Sequence, residues 1–285
     1  MIVTIDDDLK RPLTFGAVPK RVVSLVPSDT YNVAALGCVA ALVGRTDYCE
    51  LPESILALPS VGGTKNPKLD AIKALEPDLI IANKEENTKG DLEALAQEGW
   101  KVYVCFPRRA ADGIAHLARL AKIFRVERDP NVRDLLKRGY EAIRAAEARS
   151  GPKLRTFCPI WMKPLMTING DTFMSDVLSL AGADNVFADR ERKYPLAADH
   201  GKQAPVDAPG RDTRYPRVTM EEVVAKKPDL VLLPDEPHPF TDEDADVFRE
   251  AGLRDVVKTS GKDLCWYGAR TIEGLDRVRA LIEAR

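Results

Sequence analysis

Twice in this chain an acid stands seven positions before a Pro-Asp-Leu triplet, and another stands eight positions after its proline. Asp70, Pro77 and Glu85 do so in LDAIKALEPDLIIANKEE, and Glu221, Pro228 and Glu236 in MEEVVAKKPDLVLLPDEP. Glu85 and Glu236, if they faced one another, would suit acid/base work. With His238 they are a sparse set for a metal, which needs several converging ligands. Of the three histidines, His116 lies in amphipathic helical text and reads as structural, and His200 lies in a long polar stretch. A second group consists of aromatics and cations beside strand-like runs: Tyr48, Trp161, Trp266, Tyr267 and Phe240, with Arg108, Arg109, Arg217 and Arg270. Aromatic faces exposed at such places call for a flat or apolar cover. Arginine there suits a carboxylate or phosphate through its bidentate fork. The plainer alternatives are aromatics packed on sheet ends and arginines left in solvent. Ser28, Thr64 and Lys65 add short polar contacts in PSDT and GGTKN. No nucleophile elbow, P-loop or G-x-G-x-x-G is written anywhere, so an enzyme is the weaker reading.

These residues need elements to hold them. RVVSLVP, ALVGRT, PDLIIAN and KVYVCFP read as strands, each followed by helical text before the next. NPKLDAIKAL opens with an Asn-Pro pair suited to a helix start, and Thr219 with Glu222 reads as a capping box. From Pro130 to about Ser150 the text becomes one long, charged helix. Strand text returns at LRTFCPIW, PDLVLLP and DLCWYG, with helices between and a last one at TIEGLDRVRALIEA. The polar stretch 197–217 reads as a long loop, and such loops are often functional.

Strands alternating with helices predict an α/β fold. The expectation is two lobes, each a mainly parallel sheet flanked by helices, joined by one long backbone helix. The boundaries are 1–127 for the first lobe, 128–150 for the connecting helix and 151–285 for the second. Loops leaving the carboxyl ends of parallel strands collect where ligands bind, so a cleft between the lobes is expected to hold the site.

The bulk properties exclude several classes. At 285 residues the chain fills two ordinary cores. A formal charge of −2 with mixed signs gives no footprint for nucleic acid. No apolar run approaches the roughly 18 residues that span a bilayer. MIVTIDDDLKRPLTF puts aspartates where an export signal has lysines and a greasy core, which predicts either an intracellular protein or a chain whose signal has been removed. Five scattered cysteines (Cys38, Cys49, Cys105, Cys158, Cys265) without C-x-x-C predict free thiols, most of them buried, rather than disulfides or zinc.

RVVSLVPSDTYNVAALG, LVGRTDYCELP, LPSVGGTKNPKLDAIKALEPDLIIA, ADNVFAD and VTMEEVVAKKPDLVLL together resemble the substrate-binding proteins of ABC importers for cobalamin and ferric siderophores, the helical-backbone class, with the cobalamin branch nearest. The resemblance runs from about Arg21 to the C-terminus. It implies a receptor that holds a corrinoid without chemistry and without a permanently bound cofactor, as a monomer on the periplasmic or extracellular side. A ferric siderophore or haem is the alternative ligand, and a cytoplasmic ligand carrier or an enzyme on the same fold the alternative role. The resemblance also implies that Asp70 and Glu221 meet arginines of the permease dimer, with aspartate standing where the family usually has glutamate. Carboxylates in a first helical turn are also favoured by the macrodipole alone. Tyr48 matches a corrin-facing tyrosine of the cobalamin binders. Thr64 or Lys65 stands where some relatives have tryptophan, and Trp161 and Trp266 would supply the opposing wall. The expected ligand set is Ser28, Tyr48, Thr64, Lys65, Glu85, Arg108, Trp161, Arg217, Glu236, His238, Trp266, Tyr267 and Arg270.

Overall fold

The computed structural model describes residues 2–285. They divide into two compact units. One holds residues up to Pro107, Ala111–Glu141 and Tyr267–Arg270; the other holds Arg108–Ala110, Ala142–Trp266 and Thr271–Arg285.

Unit 1 opens with an antiparallel hairpin, β1 (Val3–Asp6) and β2 (Pro12–Phe15). The aspartate run is its turn. Buried Asp7 accepts from the backbone N–H of Leu9 and Arg11, each at 2.9 Å, and pairs with the Arg11 guanidinium at 2.6 Å. The main sheet follows: β3 (Val22–Ser24), α1 (Pro27–Ala35), β4 (Leu42–Arg45), α2 (Leu69–Ala74), β5 (Leu79–Asn83), α3 (Lys89–Gln97), β6 (Val102–Cys105) and α4 (Ala110–Ile123). The strands run parallel in the order β4-β3-β5-β6. Every residue of β5 and β6 is buried, as the continuous apolar text of LIIAN and VYVC requires of strands covered on both faces. Val23, Ile72, Ile80, Leu95 and Val104 form the core on one side of the sheet.

The chain leaves unit 1 within α5 (Pro130–Glu147), the long helix the sequence announces. Unit 2 then builds β7 (Leu154–Phe157), an antiparallel hairpin of β8 (Pro159–Met162) and β9 (Leu165–Thr167), α6 (Phe173–Ala181), β10 (Ala183–Asn185), α7 (Leu196–Asp199), α8 (Met220–Lys226), β11 (Leu230–Pro234), α9 (Asp242–Glu250), β12 (Val256–Thr259), α10 (Gly261–Cys265) and α11 (Ala269–Glu283). Its main sheet is again parallel, in the order β10-β7-β11-β12. Phe157, Phe187, Val231, Leu233 and Phe248 fill its core. The fold is α/β, with two parallel sheets flanked by helices.

Three local readings change. DLCWYG is not a strand: the strand is Val256–Thr259, and Asp263 to Cys265 close the short α10. Its β-branched residues are fewer than those of VVKT, and Gly261 is pressed against Glu236, where a Cβ would lie 2.6 Å from the Glu236 carbonyl oxygen. The Asn-Pro pair does not cap α2, whose N-cap is Lys68. Pro67 instead pairs with Gly62 in an isolated bridge, and the Lys68 N–H bonds to Val61 O at 2.7 Å, so the chain stays extended past the proline. The long loop begins with one helical turn, α7. By contrast the capping box of α8 is present, Glu222 N–H donating to Thr219 Oγ1 at 3.2 Å and Thr219 N–H to Glu222 Oε2 at 2.8 Å.

Candidate functional site

In unit 1 the loop ends at the carboxyl edge of the sheet gather part of the expected set. Tyr48 stands 62% exposed, its ring edge against Gly63. Lys65 Nζ donates to Glu85 O, and Lys65 O accepts from Thr88 Oγ1 at 2.8 Å. The Thr64 carbonyl accepts from Asn87 Nδ2 at 2.9 Å. Thr64, Lys65 and Glu85 therefore form one corner, tied by side-chain to backbone bonds between the loop before α2 and the loop after β5. Arg270 is half-buried at the start of α11.

Ser28 and Tyr267 are not at an open wall. Both are buried, at 4% and 5% exposure, and Ser28 hydrogen-bonds to the Tyr267 hydroxyl. Tyr267 reaches into a polar knot centred on Asp29, which stands in the first turn of α1 and is wholly buried. The Asp29 carboxylate accepts from His116 Nε2 at 2.6 Å, Tyr267 Oη at 2.8 Å and Cys105 Sγ at 3.3 Å. Beyond the imidazole, Tyr103 Oη lies 3.3 Å from His116 Nδ1 and accepts from Arg119 Nε at 2.9 Å, while Arg119 pairs with Asp8. Burial works to raise the Asp29 pKa, but the His116 imidazole and the donors from Tyr267 and Cys105 outweigh it and hold the carboxyl below its ordinary value. Burial, with Asp29 beside it, pushes the Cys105 thiol and the Tyr267 phenol well up, so both keep their protons.

Asn32 fixes the backbone next to Tyr267. Its Nδ2 donates to Tyr267 O at 3.2 Å and its Oδ1 accepts from Ala269 N–H at 2.9 Å. Gly268 between them has φ +86°, and a Cβ there would lie 2.3 Å from Asn32 Oδ1, so only glycine fits. The sequence reading has His116 as structural and Cys105 as a buried thiol, but it misses Asp29 and places Ser28 and Tyr267 among the ligand contacts. Asp29 stands in the polar segment PSDTYN, where no local signal marks it for burial. Asp29, Cys105 and His116 are also the group of three metal-type side chains whose ligand atoms lie within 4.8 Å of one another among the described residues. Each of those atoms is already engaged in a hydrogen bond.

In unit 2, Trp161 is 44% exposed, its Nε1–H donating to Lys163 O at 3.1 Å. Its ring lies 5.2 Å from that of His238, which in turn meets Phe240 edge-on at 4.6 Å and places Nε2 3.4 Å from Asp244 Oδ2. Trp161 and His238 thus form one aromatic face. Glu236 accepts from Cys265 Sγ at 3.2 Å and pairs with Lys262 at 3.6 Å. Trp266 is buried, with Lys262 Nζ 5.5 Å from its ring centre. Arg217 lies against buried Asp199, its N–H donating to Oδ2 at 2.9 Å; burial and neighbouring Arg192 lower its pKa, with Asp199 opposing them. Arg108 pairs with Asp171, and Arg109 lies 3.8 Å from the same carboxylate.

Asp70 and Glu221 are both exposed in the first turns of α2 and α8. Asp70 lies 4.0 Å from Lys73. The Glu221 pKa is lowered by its own backbone N–H and by Thr219, as the end of a helix favours. All five cysteines are free thiols, and Cys49, Cys105 and Cys158 are buried. No helix among the described residues is long and apolar enough to cross a membrane.

Comparison with known proteins accounts for this plan. The chain is 30% identical over 215 residues to a vitamin B12-binding protein of Yersinia pestis (strain Pestoides F), covering 75% of this chain and 69% of that one. A counterpart in Yersinia pseudotuberculosis serotype O:1b matches equally. Among solved structures, the periplasmic vitamin B12-binding protein of Vibrio cholerae superimposes with TM-score 0.73 at 21% identity, over 94% of this chain and 98% of that one. The periplasmic haem-binding protein of Roseiflexus sp. RS-1 does so with TM-score 0.71 at 18% identity, over 93% and 98%. Residues 22–208 match the periplasmic binding protein family. This chain belongs to that family, whose members are binding proteins rather than enzymes and deliver small-molecule ligands to ABC permeases.

Proposed function

We propose that this protein is the receptor of an ABC importer for cobalamin or a related corrinoid, working on the outer side of the cytoplasmic membrane. The observation that carries this reading is the 30% identity over 215 residues to vitamin B12-binding proteins. The exposed rings of Tyr48 and Trp161 support it, since a corrin offers the broad flat cover that such rings need. Thr64, Lys65 and Glu85 in unit 1, and His238 against Trp161 in unit 2, are the proposed polar contacts. Calorimetric titration with cyanocobalamin is expected to give one-to-one, submicromolar binding. An absence of heat with cyanocobalamin overturns the corrinoid assignment.

A ferric siderophore or haem is the second reading, favoured by Arg108, Arg217 and Arg270 among the expected ligand residues and by the structural likeness to a haem-binding protein. Titrations with a ferric siderophore and with haemin, run in parallel, decide it. Their success where cyanocobalamin fails would move the weight from the aromatic rings to the guanidinium groups.

Asp70 and Glu221 are proposed as the contacts to the permease, each carboxylate exposed on the short helix that opens the repeated stretch of its own half. Asp70→Arg together with Glu221→Arg is expected to stop ligand uptake by cells or vesicles carrying the permease while leaving the ligand Kd unchanged. Unimpaired uptake by the double variant would refute the docking role.

A further inference from the structure

The hydrogen bonds of the buried knot do not end at Asp29. The Tyr267 hydroxyl has one proton, which goes to Asp29 Oδ2 at 2.8 Å, and its oxygen accepts from Asn83 Nδ2 at 3.2 Å. Asn83 closes β5. Its Oδ1 accepts from the backbone N–H of Glu85 at 2.7 Å and of Glu86 at 3.1 Å. Its own backbone N–H donates to Asn87 Oδ1 at 2.8 Å, and Asn87 Nδ2 reaches Leu25 O at 3.2 Å and Thr64 O at 2.9 Å. A run of bonds of one polarity therefore leads from the buried carboxylate to the Glu85 and Glu86 amides. A second branch, of opposite polarity, leaves the Asn83 backbone N–H and reaches the Thr64 carbonyl through Asn87. Asn83 and Asn87 are each 4% exposed, so the bonds they make are screened from water. The thiol in this knot has no catalytic use: Cys105 is wholly buried and held protonated, the opposite of a reactive cysteine.

We infer that Tyr267 and Asn83 are positioning residues for the ligand-facing loops 64–65 and 84–87, through the hydrogen-bond run Asp29–Tyr267–Asn83; the inference rests on the reading above of Thr64, Lys65 and Glu85 as ligand contacts. Tyr267 is a positioning residue rather than a contact because its hydroxyl is turned into the knot. Removing that hydroxyl leaves Asn83 Nδ2 only the weak acceptor Cys105 Sγ at 3.6 Å. The Asn83 side chain then loses the anchor that aims its Oδ1 at the loop.

The test is amide hydrogen exchange by NMR on the ligand-free full chain, comparing wild type with Tyr267→Phe and Asn83→Ala. The Glu85 and Glu86 amides are expected to exchange roughly three- to tenfold faster in Tyr267→Phe, the effect of one buried hydrogen bond lost, and faster still in Asn83→Ala. The Ile80 and Val104 amides, inside the sheet, are expected to keep their rates, which a general loss of stability would not allow. The cyanocobalamin Kd of Tyr267→Phe is expected to rise by a similar factor. Unchanged exchange at Glu85 and Glu86 overturns the inference. Faster exchange with a wild-type Kd overturns the ligand role of the run while leaving the corrinoid reading intact. A wild-type protein that binds no corrinoid sinks that reading instead, and the exchange rates, taken without ligand, still decide whether Tyr267 holds the loop.

Discussion

Replacing Asp29 by alanine is expected to lower the stability of the protein by about 3–5 kcal/mol, read from the urea midpoint at neutral pH. The carboxylate is wholly buried and takes hydrogen bonds from Asn32, at 3.4 Å, and from three further donors, His116, Tyr267 and Cys105. Deleting it strands those three donors away from water, and each orphaned group costs about 1–3 kcal/mol. Asp29→Asn keeps the shape and one acceptor oxygen, and should cost less at neutral pH. The two variants also separate in acid. Because the folded pKa of Asp29 lies below its ordinary value, the unfolded chain takes up the proton more readily than the folded one. Its stabilisation is therefore complete above about pH 4, the pKa of an unfolded aspartate, and is lost as pH falls through the folded value. The fall in stability below about pH 4 should be shallower in Asp29→Asn than in wild type. An equally steep acid limb in both would show that Asp29 carries no such linkage.

Trp161→Ala is expected to weaken cyanocobalamin binding by about 10- to 100-fold, as loss of a central aromatic anchor does, with the chain's stability changed by no more than about 0.5 kcal/mol. The split follows from the side chain's position. Trp161 is 44% exposed, and its Nε1–H donates to Lys163 O, two residues away in the same hairpin. Little of the fold depends on it. What it offers is an open ring, stiffened by His238 at 5.2 Å with Phe240 behind. Trp161→Phe, which keeps an aromatic face, should recover most of the affinity. A Kd for Trp161→Ala equal to that of wild type, measured by calorimetry, would remove Trp161 from the ligand site and leave Tyr48 as the exposed ring to examine.

Much of this protein was written locally. The apolar runs LIIAN, VYVC and LVLLP announce strands covered on both faces because they are too short for a helix, hold β-branched residues, and in two cases follow a Pro-Asp turn signal. Thr219 and Glu222 are three residues apart, and their capping box needs nothing beyond that spacing. The long helix from Pro130 follows likewise from its own period. Tyr48, in a loop, and Trp161, on the β8 hairpin, are exposed, as expected of aromatics beside strand-like runs. The fate of Trp266 and Tyr267 was not local. Whether an aromatic in WYG stands open or is buried depends on which residues await it, and those that receive the Tyr267 segment are Asp29, Asn32, Asn83 and Cys105, drawn from α1, β5 and β6. Tyr267 and Asp29 are 238 positions apart. No period of 2 or 3.6 spans such a distance. The sequence by itself therefore determined most strands and helices and the repeated stretch, though not the fate of DLCWYG or the start of α2. Only the tertiary structure decided that a buried carboxylate would gather the far end of the chain.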